Sequence, residues 1–496
     1  MKSISNKKNI ILLFLLILFL NKTIFSYTGR TFFMSRPILQ DIVLQKVTSY
    51  KFIKEFDDGG LKILGTPFYK QSDNARELAK YFFIDNKTDL TVQGPDVAGV
   101  PDISSTWLTI VNSDENLIRN FSSKIKIRPE QKTFGFNLQI FKNLNYLNKR
   151  IMFSASMPLT YIENNLKFNE YDISPVGVVL EKMPLDTQNH SVAANATEAF
   201  DHPLLFTSKM KNGIQKLAGV ADIRLAVDLL FKMNNYVNLN IYAFGEIPTG
   251  FKPTCEYLFE PIVGNGKHIG LGGGGNFDLE LWKDNNKKIV LFAGMEYEYL
   301  FEGKNKRVFD LKNNGQFNRY LDIRRNAGDG IFQATNLANI TFLNSKITPR
   351  SVFNSFVDLC YSYKKINFKL GHNFWWRDSE KISLDENINS NYAITGLNIQ
   401  PDGAFTLHGY YLNATIKDHA SPSPNNAFMA ITQDDLDLSS GRAPSAYSNK
   451  IYFNIGYDGK FVGNRFWLDA GIDYEFAGKN SALSNIGFLL QFGIAI

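Results

Sequence analysis

The chain has 496 residues, of which 44% are hydrophobic and 14% aromatic, yet its mean hydropathy is only −0.18. Apolar residues must therefore be interleaved with polar ones, which disfavours both a helical membrane protein and a disordered chain. Two cysteines, 36 glycines and 17 prolines exclude a disulfide scaffold, a zinc ribbon and a collagen-like repeat.

The first 26 residues have the pattern of a secretory signal peptide. Lys2, Lys7 and Lys8 precede an apolar run over 10–20, which is too short for a spanning helix of about 20 residues. Removing 1–26, with its four lysines and no acidic residue, would lower the formal net charge from +6 to +2. Nucleic-acid binding then has no electrostatic support. We predict export with cleavage of this segment.

The next residues, 27–79, are predicted to be a periplasmic segment, a plug, or in part an extra hairpin around 61–70. Alternation then begins: upstream, apolar and polar residues alternate over 124–128, 134–140 and 151–160. The long stretch 162–215 is predicted to be a loop, with one short helix within 191–200.

Alternation with period two dominates the chain from residue 218 onward. In 222–231, Leu225 and Val227 lie on one face, while Arg224 and Asp228 lie on the other. The same pattern recurs over 237–243, 269–281, 291–301, 353–361, 366–377, 451–457, 466–476 and 486–496.

A soluble β-sandwich also alternates, and three further features favour a membrane barrel. Many strands run about 9 to 14 residues, the length of a tilted bilayer crossing. Aromatic residues typical of interfacial girdles lie near strand ends: Trp282, Trp375, Trp376, Tyr299 and Phe301. Connections also alternate in length. The tight turns are 234–235, 284–287, 363–365, 401–403 and 458–463, and the longer loops are 249–267, 302–350, 378–390 and 417–448, with a shorter one at 477–482.

These features predict an all-β, transmembrane, antiparallel up-and-down barrel over 80–496, with short periplasmic turns and long external loops. Sixteen candidate strands include weak ones at 80–93 and 391–399, and without these the prediction is fourteen, in a range of twelve to sixteen. The predicted location is the bacterial outer membrane.

A short region resembles a known family. The motif Gly245-Glu246-Ile247-Pro248-Thr249-Gly250 follows Ala221-Asp222-Ile223-Arg224-Leu225 and precedes Gly264-Asn265-Gly266. Over roughly 216–301 the chain resembles outer-membrane transporters of phenol-degradation pathways and, more distantly, long-chain fatty acid transporters. The Asn-Pro-Ala signature of the latter is absent near the predicted mature N-terminus. The resemblance implies an outer-membrane transport barrel.

Charged residues on the polar faces are candidates for lining the lumen, because a charge facing lipid near the midplane costs about 2–4 kcal/mol. The basic candidates are Lys124, Lys126, Arg128, Arg224, Lys369 and Arg377. The acidic candidates are Asp222, Asp228, Asp278, Glu280, Glu296, Glu298, Asp469, Asp473 and Glu475. They either pair with each other and fill the lumen, or form a wet channel whose field orients polar solutes.

Other motifs favour simpler interpretations. Gly270-x-Gly272-x-x-Gly275 lies within an alternating strand, which indicates a glycine-rich wall strand rather than a dinucleotide site. A disulfide between Cys255 and Cys360 is disfavoured because residue 360 is predicted to face inward at mid-strand. His372 lies on an apolar face without an assignable catalytic partner, and His190 and His202 are scattered in a long loop.

We therefore predict a porin-like channel or transporter for small solutes, whose partners are outer-membrane lipid and those solutes. No catalytic residue, cofactor or metal is predicted, and no nucleic-acid partner. The oligomeric state is left open. One alternative is a plugged surface barrel whose long loops bind a partner macromolecule. A second alternative is a soluble secreted β-protein.

Overall fold

The computed structural model describes residues 27–47, 60–110, 118–144, 151–174, 193–326, 332–393, 397–399, 405–407, 430–461 and 464–496. The predicted signal peptide and the predicted turn at 401–403 lie outside the described residues. In the described part of the chain, no helix is long and apolar enough to cross a membrane.

Thirteen strands form one antiparallel sheet, and twelve of them close into a barrel. In chain order the strands are β1 (Leu61–Ser72), β2 (Glu130–Asn143), β3 (Ile151–Asn165), β4 (Ile214–Val220), β5 (Ile223–Lys232), β6 (Val237–Ile247), β7 (Gly270–Asp284), β8 (Lys287–Leu300), β9 (Arg350–Tyr363), β10 (Ile366–Arg377), β11 (Ala446–Phe461), β12 (Asn464–Ala477) and β13 (Asn485–Ala495). Closure comes from β1, which pairs with β2 on one side and with β13 on the other. The extra strand is β4, which pairs with the C-terminal half of β3 while β5 pairs with the N-terminal half.

Side chains alternate between the outer and inner faces of the wall because successive residues of a strand point in opposite directions. On β5, Leu225, Val227 and Leu229 are 37–47% exposed on the outer face, whereas Arg224 and Asp228 are buried inside. In a closed antiparallel barrel every wall strand is hydrogen-bonded to a neighbour on each side, and the apolar side chains of the outer face contact lipid. The predicted fold class, a transmembrane β-barrel, is confirmed.

The two ends of the barrel differ in their connections. Two-residue turns join β7 to β8 and β9 to β10, and we call this the turn end. At the opposite end, which we call the cap end, the long connections are 73–129, 166–213, 248–269, 301–349 and 378–445. Short turns on one side and long loops on the other are typical of outer-membrane barrels, in which the short turns face the periplasm.

The predicted number of strands and the predicted start of the barrel need correction. Twelve strands close the barrel rather than fourteen, and Leu61–Ser72 is a wall strand, so the barrel begins before residue 80. The weak candidates at 80–93 and 391–399 contribute only short strands outside the wall sheet. The cap strand Asp89–Gln93 also has one buried face, and period-two alternation cannot distinguish such a strand from a wall strand.

The long connections fold together into a cap at the cap end. Its helices are α1 (Ala75–Phe82), α2 (Ala196–Phe200) and α3 (Leu337–Ile340), of which α2 lies where a short helix is predicted. It has two larger sheets. The first has four strands: Asp89–Gln93, Ile103–Ser104, Ser122–Lys126 and Asn169–Ser174. The second has three strands: Gly303–Val308, Phe342–Thr348 and Lys381–Leu384. Aromatic side chains from several connections share one hydrophobic core, including Phe33, Tyr81, Phe82, Phe200 and Phe317. The described residues of the cap therefore share a hydrophobic core of their own.

Candidate functional site in the barrel interior

The chain's own N-terminal residues lie inside the barrel. Residues 27–47, which we call the interior segment, begin in the cap, where the Gly29 N–H donates to the Phe83 carbonyl at 2.9 Å. They continue among the inward side chains and form only a 3₁₀ helix, Ile38–Gln40, and a π-helical turn, Val43–Val47. The segment thus packs against the wall through side chains rather than as a strand of the sheet.

In the cap half of the barrel, Asp41 of the interior segment forms ion pairs with two wall lysines. One is Lys70 on β1 and the other is Lys450 on β11, at 2.5 Å. Lys450 also lies 3.4 Å from Asp473 and 3.5 Å from Glu475, both on β12. Opposite charges in this cluster offset part of the desolvation cost that each would carry alone.

Arg36 anchors the interior segment to the same region. Its guanidinium donates to Glu475 at 2.9 Å, to Asn354 at 2.9 Å and to Asn373 at 3.1 Å. The bond to the Glu475 carboxylate pairs two opposite charges and is therefore the strongest of the three. Residues from β9, β10 and β12 are in this way joined to one side chain of the segment.

The prediction that Trp375 belongs to an outer aromatic girdle is wrong. Trp375 is 1% exposed on the inner face, and its indole N–H donates to Gln40 Oε1 of the interior segment at 3.2 Å. Its neighbour Trp376 lies on the opposite face of β10, because adjacent residues of a strand alternate. Only one residue of such a pair can face lipid.

A second network occupies the wall formed by β5, β6 and β8. Arg224 pairs with Glu246 at 2.7 Å and with Glu296 at 2.9 Å, and its guanidinium lies 4.0 Å from the Phe244 ring centroid. The Tyr242 hydroxyl donates to Glu296 at 3.1 Å. One cation is thus shared by two carboxylates and stacked on an aromatic ring.

Glycines on β7 create the space for these aromatic rings. A Cβ atom at Gly272 would lie 2.3 Å from the Phe244 ring, and one at Gly274 would lie 2.6 Å from the Tyr242 hydroxyl oxygen. Both glycines face inward, so the rings from β6 can lie across the neighbouring strand. The motif Gly270-x-Gly272-x-x-Gly275 lies on β7, and its interpretation as part of a glycine-rich wall strand is confirmed.

Lys46 joins the interior segment to the same wall. Its ammonium lies 3.3 Å from Asp228 and 3.0 Å from the centroid of the Tyr242 ring. Asp228 also accepts hydrogen bonds from Asn240 at 2.9 Å and from Ser154 at 3.4 Å. A carboxylate and an aromatic face together stabilise an ammonium group in a desolvated place.

A third group of inward charges lies on β9, β10 and β12. Asp358 accepts from the Tyr452 hydroxyl at 3.2 Å, and Asp469 accepts from the Asn454 amide at 2.6 Å. Lys369 is buried, and its ammonium lies 5.3 Å from the centroid of the Trp467 ring. Charges therefore line the interior on opposite sides of the barrel.

The structure places most of the predicted lumen residues inside the barrel. Ten are buried on the inner face of wall strands: Arg224, Asp228, Asp278, Glu296, Glu298, Lys369, Arg377, Asp469, Asp473 and Glu475. Glu280 is half-buried near the turn end, where it pairs with Lys288 at 3.0 Å. Asp222 is buried at the bend between β4 and β5 and accepts the N–H groups of Gly250 and Asn265 at 3.0 and 2.7 Å, so it holds the connection 248–269.

Three predicted lumen residues lie outside the barrel. They are Lys124, Lys126 and Arg128. The first two belong to the cap strand Ser122–Lys126, and Lys124 forms a 3.0 Å pair with Asp172 in which both side chains are about half exposed. This strand buries Ile125 in the cap core, which produces the same alternation as a wall strand. The prediction that these three basic residues line the lumen is therefore wrong.

Sequence reasoning missed the partners that hold the interior segment. These are Arg36, Asp41 and Lys46 of the segment and Lys70 and Lys450 of the wall. It also missed Glu246, which pairs with Arg224 within the wall. The segment has no periodicity, so its charges carry no signal of burial. Lys450 lies just before the predicted strand 451–457, and extending that alternation by one residue would have placed it inward.

The two cysteines are both free and buried, which agrees with the expectation against a disulfide. Among the described residues, no group of three or more His, Cys, Asp or Glu side chains is arranged to hold a metal ion. His372 lies on the outer face and contacts Asn449 Oδ1 at 3.1 Å.

Fold and interior together define a transmembrane antiparallel β-barrel with a charged lumen. No protein-family model and no curated protein match the sequence. Solved structures with some likeness include an outer-membrane channel from Pseudomonas putida F1, 10% identical, with a TM-score of 0.37 over 89% of this chain and 96% of that one. A deletion mutant of the TodX monoaromatic hydrocarbon channel is 9% identical, with a TM-score of 0.35 over 95% and 96% of the two chains. The transport unit of the autotransporter AIDA-I from Escherichia coli is 8% identical, with a TM-score of 0.30 over 93% and 99%. Likeness at this level identifies neither a family nor a solute.

Proposed function

We propose that this chain is a bacterial outer-membrane channel or transporter that passes small solutes through its lumen. The observation that carries the proposal is the charged inner face, where ten predicted lumen residues are buried with their partners. A barrel that served only as an anchor would be at least as stable with apolar residues inside, because buried ion pairs rarely outweigh their desolvation cost. Inward charges contribute to function when water and polar solutes take the place of the side chains with which these charges now pair.

The interior segment is the element that closes this path in the proposal. Its polar side chains bond to strands on opposite sides of the barrel: Arg36 to β12, Gln45 to β2 and β3, and Lys46 to β5. Apolar contacts add to these, because Ile42 and Val43 pack against Phe292, Phe356 and Tyr452. Water can substitute for the polar contacts, so the segment can leave without breaking the wall sheet.

The test is conductance of the purified mature chain in planar bilayers. We expect discrete openings, and a variant that lacks residues 27–47 should conduct more and for longer, because the barrel wall remains complete from β1 to β13. A wild-type protein and a deletion variant that both insert and never conduct would contradict the proposal. Insertion itself is checked by heat-modifiable migration in gels and by recovery in the outer-membrane fraction.

The same proposal places the mature chain in the outer membrane after removal of residues 1–26, with lipid as its surroundings and no reaction catalysed. N-terminal sequencing of the membrane-extracted protein tests the cleavage. Recovery in the soluble periplasmic fraction would count against the location.

A second candidate function is a surface barrel that binds a partner macromolecule through its cap. The folded cap core favours it, since an ordered surface of this kind suits recognition. Conductance separates the two candidates. A cap binder whose lumen does not pass solutes would insert and remain silent, both as the wild-type protein and as the variant that lacks residues 27–47.

A further inference from the structure

The ammonium of Lys46 occupies a place built entirely from wall residues. The Asp228 carboxylate lies 3.3 Å from Nζ, and the Tyr242 ring centroid lies 3.0 Å from it. Asn240 and Ser154 hold the same carboxylate. A carboxylate beside the face of an aromatic ring is the arrangement by which proteins recognise organic ammonium ions. Lys46 itself belongs to the interior segment, not to the wall.

The surrounding wall has more acids than bases. On strands β5 to β8, the buried charged side chains are one cation and five carboxyl groups: Arg224, Asp228, Glu246, Asp278, Glu296 and Glu298. Arg224 is already shared between Glu246 and Glu296. Departure of Lys46 would therefore leave Asp228 without its cation, in a region whose potential favours any incoming cation.

Room and polar atoms are present beside Lys46. A cavity of about 40 Å³ is lined by Lys46, Gln45, Asn240 and Asn276, among others. Asn276 is 2% exposed, and within the described part of the chain neither its amide nitrogen nor its amide oxygen has a hydrogen-bond partner. Asn240 Oδ1 is likewise without one. The cavity alone suits about one water molecule, and together with the volume of the Lys46 side chain it suits a small amine.

We propose that this wall site binds small organic ammonium ions, and that Lys46 occupies it as a tethered equivalent of such a ligand. The inference rests on the proposed function and deepens it by naming the class of solute. When the interior segment moves, the ammonium of a solute takes the place of Nζ between Asp228 and Tyr242. The unpaired amide oxygen of Asn240 and the unpaired amide group of Asn276 then face the remainder of the solute.

The test uses the full mature chain with Lys46→Ala and the probe n-butylammonium, whose four-carbon chain and ammonium have the length of the whole lysine side chain. We expect n-butylammonium to raise the thermal unfolding midpoint of Lys46→Ala by roughly 2 °C at ten times its Kd. The wild-type protein, whose site is filled, should show no such shift. The neutral isostere 1-butanol and the anion butyrate should not reproduce it.

Two further variants assign the effect to the site. Adding Asp228→Asn or Tyr242→Leu to Lys46→Ala should weaken n-butylammonium binding roughly tenfold or more, because each removes one of its two recognition elements. Lys80→Ala, which removes a half-buried cap lysine paired with Glu77, is the matched control and should gain no response to the probe.

A Lys46→Ala protein that does not respond to n-butylammonium, or responds equally to 1-butanol, would overturn the inference. So would equal binding after Asp228→Asn. The conductance of the wild-type protein is measured separately. A chain that conducts without binding the probe refutes the ammonium site alone, whereas a chain that binds the probe and never conducts supports the site and refutes transport.

Discussion

Lys450 Nζ lies 2.5 Å from Asp41 Oδ2, and both side chains are at most 2% exposed. The pair joins the interior segment to strand β11 of the wall. Removing one partner of a buried ion pair typically costs about 3–5 kcal/mol, because the other charge is left without compensation. The pair is therefore a contact whose loss should loosen the interior segment without altering the apolar outer face.

Asp41→Asn should increase the time that the channel spends open. The substitution keeps the shape of the side chain and leaves two lysines, Lys70 and Lys450, without their shared carboxylate. Because the segment is held less strongly, we expect the open probability in planar bilayers to rise roughly tenfold or more.

The matched control is Glu77→Gln, which removes an exposed carboxylate paired with Lys80 in the cap. Exposed pairs contribute about 0–1 kcal/mol, so gating should not change. Equal open probabilities for Asp41→Asn and the wild-type protein would show that this pair does not hold the segment.

Gly274→Ala should destabilise the barrel far more than Gly275→Ala, although the two residues are adjacent on β7. A Cβ at Gly274 would lie 2.5 Å from the Met295 carbonyl oxygen and 2.6 Å from the Tyr242 hydroxyl. A Cβ at Gly275 would meet only the Asn240 carbonyl oxygen, at 3.5 Å, an ordinary contact. We expect a loss of about 1–3 kcal/mol for the first variant, measured by urea unfolding in detergent or lipid vesicles. Equal stabilities would mean that Tyr242 does not need the space above Gly274.

Neutralising the three basic cap residues Lys124, Lys126 and Arg128 should leave ion selectivity unchanged. The triple variant Lys124→Gln, Lys126→Gln and Arg128→Gln alters side chains on an exposed cap sheet, where charges are screened beyond about 8 Å at physiological salt. Glu298→Gln alters a buried inward carboxylate and should reduce the preference for cations. Reversal potentials in a salt gradient measure both. A shift in the triple variant without one in Glu298→Gln would reverse the assignment of these residues.

Both cysteines should resist modification in the folded protein. Burial raises the pKa of the Cys255 thiol to about 12, so at pH 8 almost none of it is thiolate. Cys360 is buried on the inner face of β9. Maleimide should label both thiols only after unfolding, and migration with and without reductant should be the same. A shift on reduction would indicate a disulfide that this structure does not contain.

The sequence was sufficient to predict the barrel because each wall strand has one face in lipid, and that constraint imprints period two on residues such as Leu225 and Val227. The same constraint placed Arg224 and Asp228 inside. The alternation does not distinguish Lys124 from Arg224 and Asp228, because a cap strand that buries Ile125 alternates in the same way.

The interior segment was beyond prediction for a different reason. Asp41 and Lys46 are buried by strands far away in the sequence, and no local pattern records such contacts. For the strand Leu61–Ser72 the sequence predicts no more than part of a possible hairpin around 61–70, because apolar and polar residues do not alternate strictly along it. Its role becomes evident only when its partners, β2 and β13, are known.

The central claim is that the interior segment must leave the lumen before solutes pass, and a reversible crosslink tests it most directly. In a chain with Cys255→Ala and Cys360→Ala, Gln45→Cys and Ser156→Cys would be joined by a short, reducible bis-methanethiosulfonate linker, since the native side chains meet at 2.7 Å. The control joins Gln139→Cys to the same Ser156→Cys; these residues are paired neighbours on β2 and β3, so the linker spans the wall alone. We expect the segment-to-wall crosslink to abolish conductance until reductant is added, while the wall-to-wall crosslink leaves conductance unaffected by reductant. Undiminished conductance in the crosslinked segment variant would contradict the account.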